Sequence, residues 1–171
     1  LDWDHWSPAG ERQDSATLRV GFAGHAEQTT KGVDLIRAAV EQVPGMELAV
    51  ETWRRDRRAW ADMPSFYRSL DIYVCASQPG AEAGPRSPME AGLCGVPVIT
   101  TRAGQIGEMV RDGADGFGVD RNVDAIRTAL VALRDRDRRR EMGASVRANF
   151  DAWAQRTANE WATFLQEVAN S

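Results

Sequence analysis

The residues best equipped for chemistry in this sequence stand in one stretch, Gly80-Ala81-Glu82-Ala83-Gly84-Pro85-Arg86-Ser87-Pro88-Met89-Glu90-Ala91. Glu82 and Glu90 lie eight positions apart. If Glu90 sits in the first turn of a helix and Glu82 in the loop before it, both can face one ligand and accept hydrogen bonds from paired hydroxyls. The alternative is a surface Glu82 and a Glu90 that only caps a helix, and residue chemistry leaves the two open. Ser87 is expected as the N-cap, Pro88 as the first helical residue and Glu90 as the partner completing an S-x-x-E capping box. Gly84, Pro85, Arg86 and Ser87 then lead a glycine-bearing loop into a helix N-terminus. Free N–H groups and the positive end of the helix dipole make such a terminus a place for phosphate.

Two further candidates precede a second helix. Lys31, followed by Gly32, can bring a cation to a diphosphate, or it is an ordinary exposed lysine. His25, directly after Gly24, can donate to a phosphate or be merely solvated. Trp53 and Arg54 open the cluster Trp53-Arg54-Arg55-Asp56-Arg57-Arg58 at a strand end, which borders the ligand crevice in open α/β sheets. Rival motifs are missing: Gly21-Phe22-Ala23-Gly24 is not G-x-G-x-x-G, and no G-x-x-x-x-G-K-[ST] occurs. With two histidines and two cysteines, His-based triads, disulfide scaffolds and Cys-rich or His-rich metal sites have little material. No metal ligand set is proposed.

These residues need elements to place them, and the hydrophobic pattern supplies alternating strands and helices. Residues 18–23 read as a buried strand and residues 33–43 as a helix with Leu35, Ile36, Ala39, Val40 and Val43 on one side. Residues 46–53 alternate as a strand, 63–70 form a short helix, and 72–75 a buried strand. Residues 90–93 continue the helix that Ser87 caps, 96–100 read as a strand, 106–110 as a helix and 117–119 as a last strand. Asn122 is expected to cap a helix carrying Val123, Ile126, Leu130 and Leu133. A helical closing segment holds Trp153, Trp161, Phe164 and Leu165. Strands alternating with helices imply a Rossmann-like, doubly wound parallel sheet with helices on both faces and extra C-terminal helices. Its ligand belongs at the carboxyl ends of the strands, in the loops after Ala23, Thr52, Cys75 and Thr100.

At 171 residues and 43% apolar, the chain suits one cored domain. Residues 1–14, which begin with Leu rather than Met and are rich in Trp, Asp and Pro, read as a linker remnant; residues 15–171 read as the domain. The net charge of -4 gives no support for a nucleic-acid partner. The Arg/Asp alternation of residues 134–140 reads as a solvated helical face. No apolar run approaches the roughly 20 residues needed to cross a bilayer. The scarcity of cysteine fits a reducing, cytoplasmic setting.

Taken together, these residues resemble the C-terminal domain of retaining family 4 glycosyltransferases of the two-domain GT-B architecture. The resemblance rests on Lys31-Gly32, on Asp71-Ile72-Tyr73-Val74-Cys75-Ala76-Ser77, on the E-x7-E spacing of Glu82 and Glu90 followed by Ala91-Gly92-Leu93-Cys94-Gly95-Val96-Pro97-Val98-Ile99, and on the loops Gly104-Gln105-Ile106-Gly107-Glu108-Met109-Val110 and Asp112-Gly113-Ala114-Asp115-Gly116. It implies transfer of a sugar, with retention, from a nucleotide diphosphate sugar to an unknown acceptor, as part of polysaccharide or glycoconjugate synthesis and without a cofactor or metal. By resemblance Glu90 holds the nucleotide ribose, Glu82 touches the transferred sugar, Lys31 pairs with the diphosphate, and amides around Gly84, Pro85 and Arg86 cradle sugar and phosphate. The partner is then an N-terminal domain of the same polypeptide, through which peripheral membrane association is left open. Three departures bear on the sugar site: His25 stands where the family usually has Arg, Ala83 replaces a usual Gly, and residues 77–82 form a longer loop. They keep two other readings open, a non-catalytic sugar-nucleotide or phospho-ligand binding module and a GT-B-like hydrolase or epimerase.

Overall fold

A computed structural model describes residues 5–8, 10, 15–52 and 59–169. Strands β1 (Leu18–Gly24), β2 (Met46–Thr52), β3 (Ile72–Cys75), β4 (Val98–Thr100) and β5 (Gly116–Gly118) form one sheet in the order β2-β1-β3-β4-β5. Every pairing is parallel. The helices are α1 (Val33–Glu41), α2 (Met63–Arg68), α3 (Arg86–Leu93), α4 (Ile106–Met109), α5 (Val123–Ala132) and α6 (Arg136–Ala169). This is the doubly wound fold that the alternation of periods implies. The chain runs from β1 outward to β2, then crosses back to β3 on the other side of β1. That reversal opens a crevice between the loops that follow β1 and β3.

Period-two alternation sorts the strand residues between two cores. Val20, Phe22, Ile72, Val74 and Ile99 meet Ile36 and Val40 of α1 and Ile126 and Leu130 of α5. Tyr73, Cys75 and Val98 point the other way, to Phe66 and Tyr67 of α2, Leu93 of α3 and Val146 and Phe150 of α6. Trp6, inside the segment read as a linker, is completely buried in the second core, against Tyr67. Arg68 and Arg147 hold it there by donating to the carbonyls of Ser7 (2.7 Å) and Trp6 (3.1 Å), respectively.

Asn122 caps α5 as expected, its Oδ1 accepting from the Ala125 N–H at 2.8 Å. Residues 134–140 are mostly exposed, as the Arg/Asp alternation implies, and most of them start α6. Arg139 donates to the carbonyls of Leu133 and Arg134, so a cation closes the C-terminal end of α5. The closing helix is longer than its apolar residues suggest, 34 residues in one piece. Its inner half is docked by the buried carboxylate of Asp115, which receives Arg111 Nε and Nη2 (both 2.7 Å), Arg111 N (3.1 Å), Ser145 Oγ (2.8 Å) and Asn149 Nδ2 (2.8 Å). Among the described residues no helix is long and apolar enough to cross a membrane.

Candidate active site

Two loops meet in the crevice, and glycine at position 32 lets them. After β1 the chain makes a 3-10 turn at Thr29–Lys31 and enters α1 through Gly32, whose φ is 69°. A Cβ there would lie 2.4 Å from the Ala76 carbonyl oxygen, so a side chain is refused by the backbone conformation and by the neighbour alike. The contact brings the β1 loop against the segment after β3. Gln78 N–H donates to Thr30 O at 2.7 Å, and Arg121 ties both loops together by donating to Ala76 O and Thr29 O.

Held in this way, the Lys31 ammonium is within ion-pairing reach of Glu82. Ser77 Oγ donates to the same Glu82 oxygen at 2.7 Å, and Thr101 Oγ1 fixes the Ser77 carbonyl at 2.5 Å. Both side chains of the pair are largely buried. From below, the loop after β4 supports Glu82: Gln105 N–H donates to Ala83 O at 2.9 Å. Gly104, with φ 65°, lies under the Glu82 and Ala83 carbonyls, where a Cβ would come within 2.7 Å of either oxygen. The longer loop and Ala83 therefore still deliver a fixed carboxylate.

Helix α3 starts two residues earlier than its sequence suggests. Its N-cap is Pro85, with no side-chain cap bond, so Ser87 is the second helical residue and not the cap, and Pro88 is the third and not the first. The expected capping box is absent because Glu90 turns inward: its Oε2 accepts the Tyr67 hydroxyl at 2.8 Å. A buried phenol needs a partner, and this carboxylate supplies it. Pro85 and Pro88 carry no N–H, so the free donors of this terminus are the amides of Arg86 and Ser87. Burial pushes the Glu90 carboxyl above its ordinary value, while the Tyr67 hydrogen bond and nearby Arg86 pull it back.

The cleft these elements enclose measures about 270 Å³ and is lined by His25, Lys31, Ser77, Glu82, Gly84, Pro85, Arg86 and Ser87 among others. His25 stands at its mouth with Nδ1 3.3 Å from Glu27 Oε1. Glu90 does not line this cleft; it lies one turn further along α3, beside Arg86, whose Nη2 is 3.7 Å from Oε1. Trp53 and Arg54 lie outside the described residues. Cys75 forms part of the floor, where burial raises its thiol pKa and keeps it a neutral thiol. A larger hollow of about 700 Å³ sits at the opposite ends of β3 and β4, and its Arg68 and Arg147 are spent on carbonyls of the N-terminal segment and on that of Leu93. Among the described residues no group of three or more His, Cys, Asp or Glu side chains could hold a metal ion.

Sequence reasoning missed Ser77 and Tyr67. Ser77 closes the strand motif that begins at Asp71, a signal that was present; Tyr67 looks like any apolar residue of a short helix.

The family model described as "Glycosyl transferases group 1" matches residues 56–148. No curated protein sequence matches. Among solved structures, the C-terminal domain of a glycosyl transferase group 1 family protein (LpcC) from Francisella tularensis superposes with a TM-score of 0.74 at 22% identity, covering 89% of this chain and 97% of that one. Sucrose-phosphate synthase from Thermosynechococcus elongatus gives a TM-score of 0.82 at 17% identity over 100% of this chain and 52% of that one. HepE of Anabaena, solved in complex with UDP and glucose, gives 0.67 at 19% identity over 86% and 48%. The chain thus spans about half the length of the latter two. On the match of more than half its length, the chain belongs to the glycosyl transferases group 1 family.

Proposed function

We propose that this chain is the donor-binding half of a retaining, metal-independent glycosyltransferase and takes a nucleoside diphosphate sugar in the cleft between the β1 and β3 loops. The observation that carries the reading is the convergence of Lys31 and Glu82, from two loops, at the switch point of the sheet. UDP and glucose bound to the similarly folded HepE support the same ligand class. In the reaction the bond from the anomeric carbon to the phosphate oxygen breaks and negative charge gathers on the departing diphosphate. Lys31, the amides of Arg86 and Ser87, and His25 at the mouth meet that charge in place. Glu82 addresses the sugar, and Oε1 of Glu90, beyond Arg86, addresses the ribose. The acceptor attacks on the leaving-group face and is held by a second half of the protein, whose closure excludes water.

Calorimetric titration tests this. A ribonucleoside diphosphate should bind saturably, with the same Kd in EDTA, while these 171 residues alone transfer no sugar. Glu90→Gln should leave the fold intact and raise Kd roughly tenfold or more, the scale of a charge-assisted hydrogen bond. The 2′-deoxynucleotide should bind the unmutated chain more weakly by a similar factor. Indifference to both changes removes Glu90 from the site, and absence of binding removes the proposal.

A further inference from the structure

Two buried tyrosines lie side by side under the cleft and spend their hydroxyls differently. Tyr73 donates to a backbone carbonyl, that of Ala23, at 3.3 Å. Tyr67 donates to the Glu90 carboxylate at 2.8 Å. A carbonyl satisfies a buried phenol at little cost, whereas a carboxylate brought into the interior must give up its hydration. The Glu90 side chain is only 10% exposed, and Arg86, which pairs with it at 3.7 Å, is 64% exposed. The arrangement is expensive for a packing device. It is what a carboxylate needs if one oxygen is to be fixed and the other offered to a ligand.

We infer that Tyr67 is a positioning residue for nucleotide recognition: its hydroxyl pins Oε2 of Glu90, so that Oε1 is presented in a fixed orientation to the ribose hydroxyls. The inference rests on the ribose role proposed above for Glu90. A glutamate has three side-chain torsions to fix, and a carboxylate that must meet two vicinal hydroxyls works best with its plane already set. Tyr67 can set it because its own ring is enclosed by packing. It has no exposed surface and is wedged edge-on between Trp6 and Tyr73, at centroid distances of 5.7 and 5.8 Å. Trp6 thus has a use beyond packing: the N-terminal segment it anchors braces the phenol that braces the carboxylate.

The test is Tyr67→Phe, read by titration with a ribonucleoside diphosphate and its 2′-deoxy analogue. Ribonucleotide affinity should fall about three- to tenfold, the scale of one hydrogen bond. The deoxy analogue, which keeps only one of the two hydroxyls, should lose less, so that the preference for ribose shrinks. In a Glu90→Gln background, Tyr67→Phe should have no further effect on either ligand. A ribose preference that survives Tyr67→Phe but is lost in Glu90→Gln overturns this inference and leaves the ribose role of Glu90 standing. A preference unchanged in Glu90→Gln overturns both. Should Tyr67→Phe not fold, 3-fluorotyrosine at the chain's two tyrosines gives a second readout by 19F NMR, with Tyr73→Phe to assign the signals. The Tyr67 resonance should shift on adding the ribonucleotide and much less with the deoxy analogue; equal response to both overturns the inference.

Discussion

Replacing Asp115 by Ala should lower the unfolding free energy by about 3 kcal/mol, because one substitution strips a buried acceptor from several donors at once. Arg111 loses a two-pronged partner, and Ser145 and Asn149 lose the atom that docks α6 on the β5 loop. Arg111 itself is largely in water, so its charge is not stranded, which keeps the cost below that of breaking a wholly buried ion pair. For a chain of this length the melting temperature should drop by about 6–12 °C. Burial works to raise the Asp115 carboxyl, but hydrogen bonds from Arg111 and Ser145 outweigh it and hold it below the ordinary 3.8. A folded-state pKa below the unfolded one means that the stabilisation is complete above 3.8 and fades as pH falls through that value toward the folded pKa. The gap in melting temperature between the unmutated chain and Asp115→Ala should therefore be constant from neutral pH to about 5 and narrow in more acid solution. A variant that melts within a degree of the parent at pH 7 contradicts the structural role.

That network marks what sequence could and could not disclose. Asp112-Gly113-Ala114-Asp115-Gly116 stood out as a motif, yet nothing in it says that Asp115 works for α6, because Ser145 and Asn149 lie about 30 residues on. The alternation of Val20 and Phe22 with their neighbours, and the spacing of Ile36 and Val40, are local consequences of period two and period 3.6, so the sheet and its helices were legible. The start of α3 was not. S-x-x-E is a local signature, but the competing partner of Glu90, the Tyr67 hydroxyl, comes from 23 residues upstream and wins because a buried phenol cannot go unpaired. Trp6 fails to announce itself for the same reason. Composition marks its surroundings as linker, and only the packing of Tyr67 against it shows that Trp6 is held on the domain.

The candidate site was legible as a set of residues and not as an arrangement. Lys31, Glu82 and the stretch Gly84 to Ser87 were each weak signals, and the sheet order turns them into neighbours by folding two loops over one crevice. What spacing could not reveal is that Lys31 and Glu82 face each other, or that Ser77 shares the same oxygen. Opposite charges in one cleft have a consequence for the proposed ligand: a diphosphate would meet a cation already engaged and a carboxylate beside it.

Lys31→Ala should for that reason weaken nucleoside diphosphate binding by more than one lost contact. In the unmutated chain the ammonium has three N–H donors and can hold phosphate oxygen while still touching Glu82. Without it, the phosphate loses a charge-assisted bond worth about 1.5–3 kcal/mol and also faces a Glu82 carboxylate that has lost its cation and keeps the Ser77 hydroxyl. A total near 2–3 kcal/mol corresponds to a rise in Kd of about 30- to 150-fold. The free nucleoside, lacking phosphate, should bind within about twofold of its original affinity, which separates loss of charge from collapse of the loop. Adding Glu82→Gln to Lys31→Ala removes the uncompensated carboxylate and should restore part of the diphosphate affinity, a non-additivity expected only of groups in direct contact. The affinity of the unmutated chain should also fall with added salt more steeply than that of Lys31→Ala, since one fewer ion contact remains to be screened. Paired titrations of nucleoside and nucleoside diphosphate against four proteins, the unmutated chain, Lys31→Ala, Glu82→Gln and the double variant, decide the matter. An equal loss for both ligands, or strict additivity of the two substitutions, would place Lys31 in the loop's scaffold and take it off the phosphate.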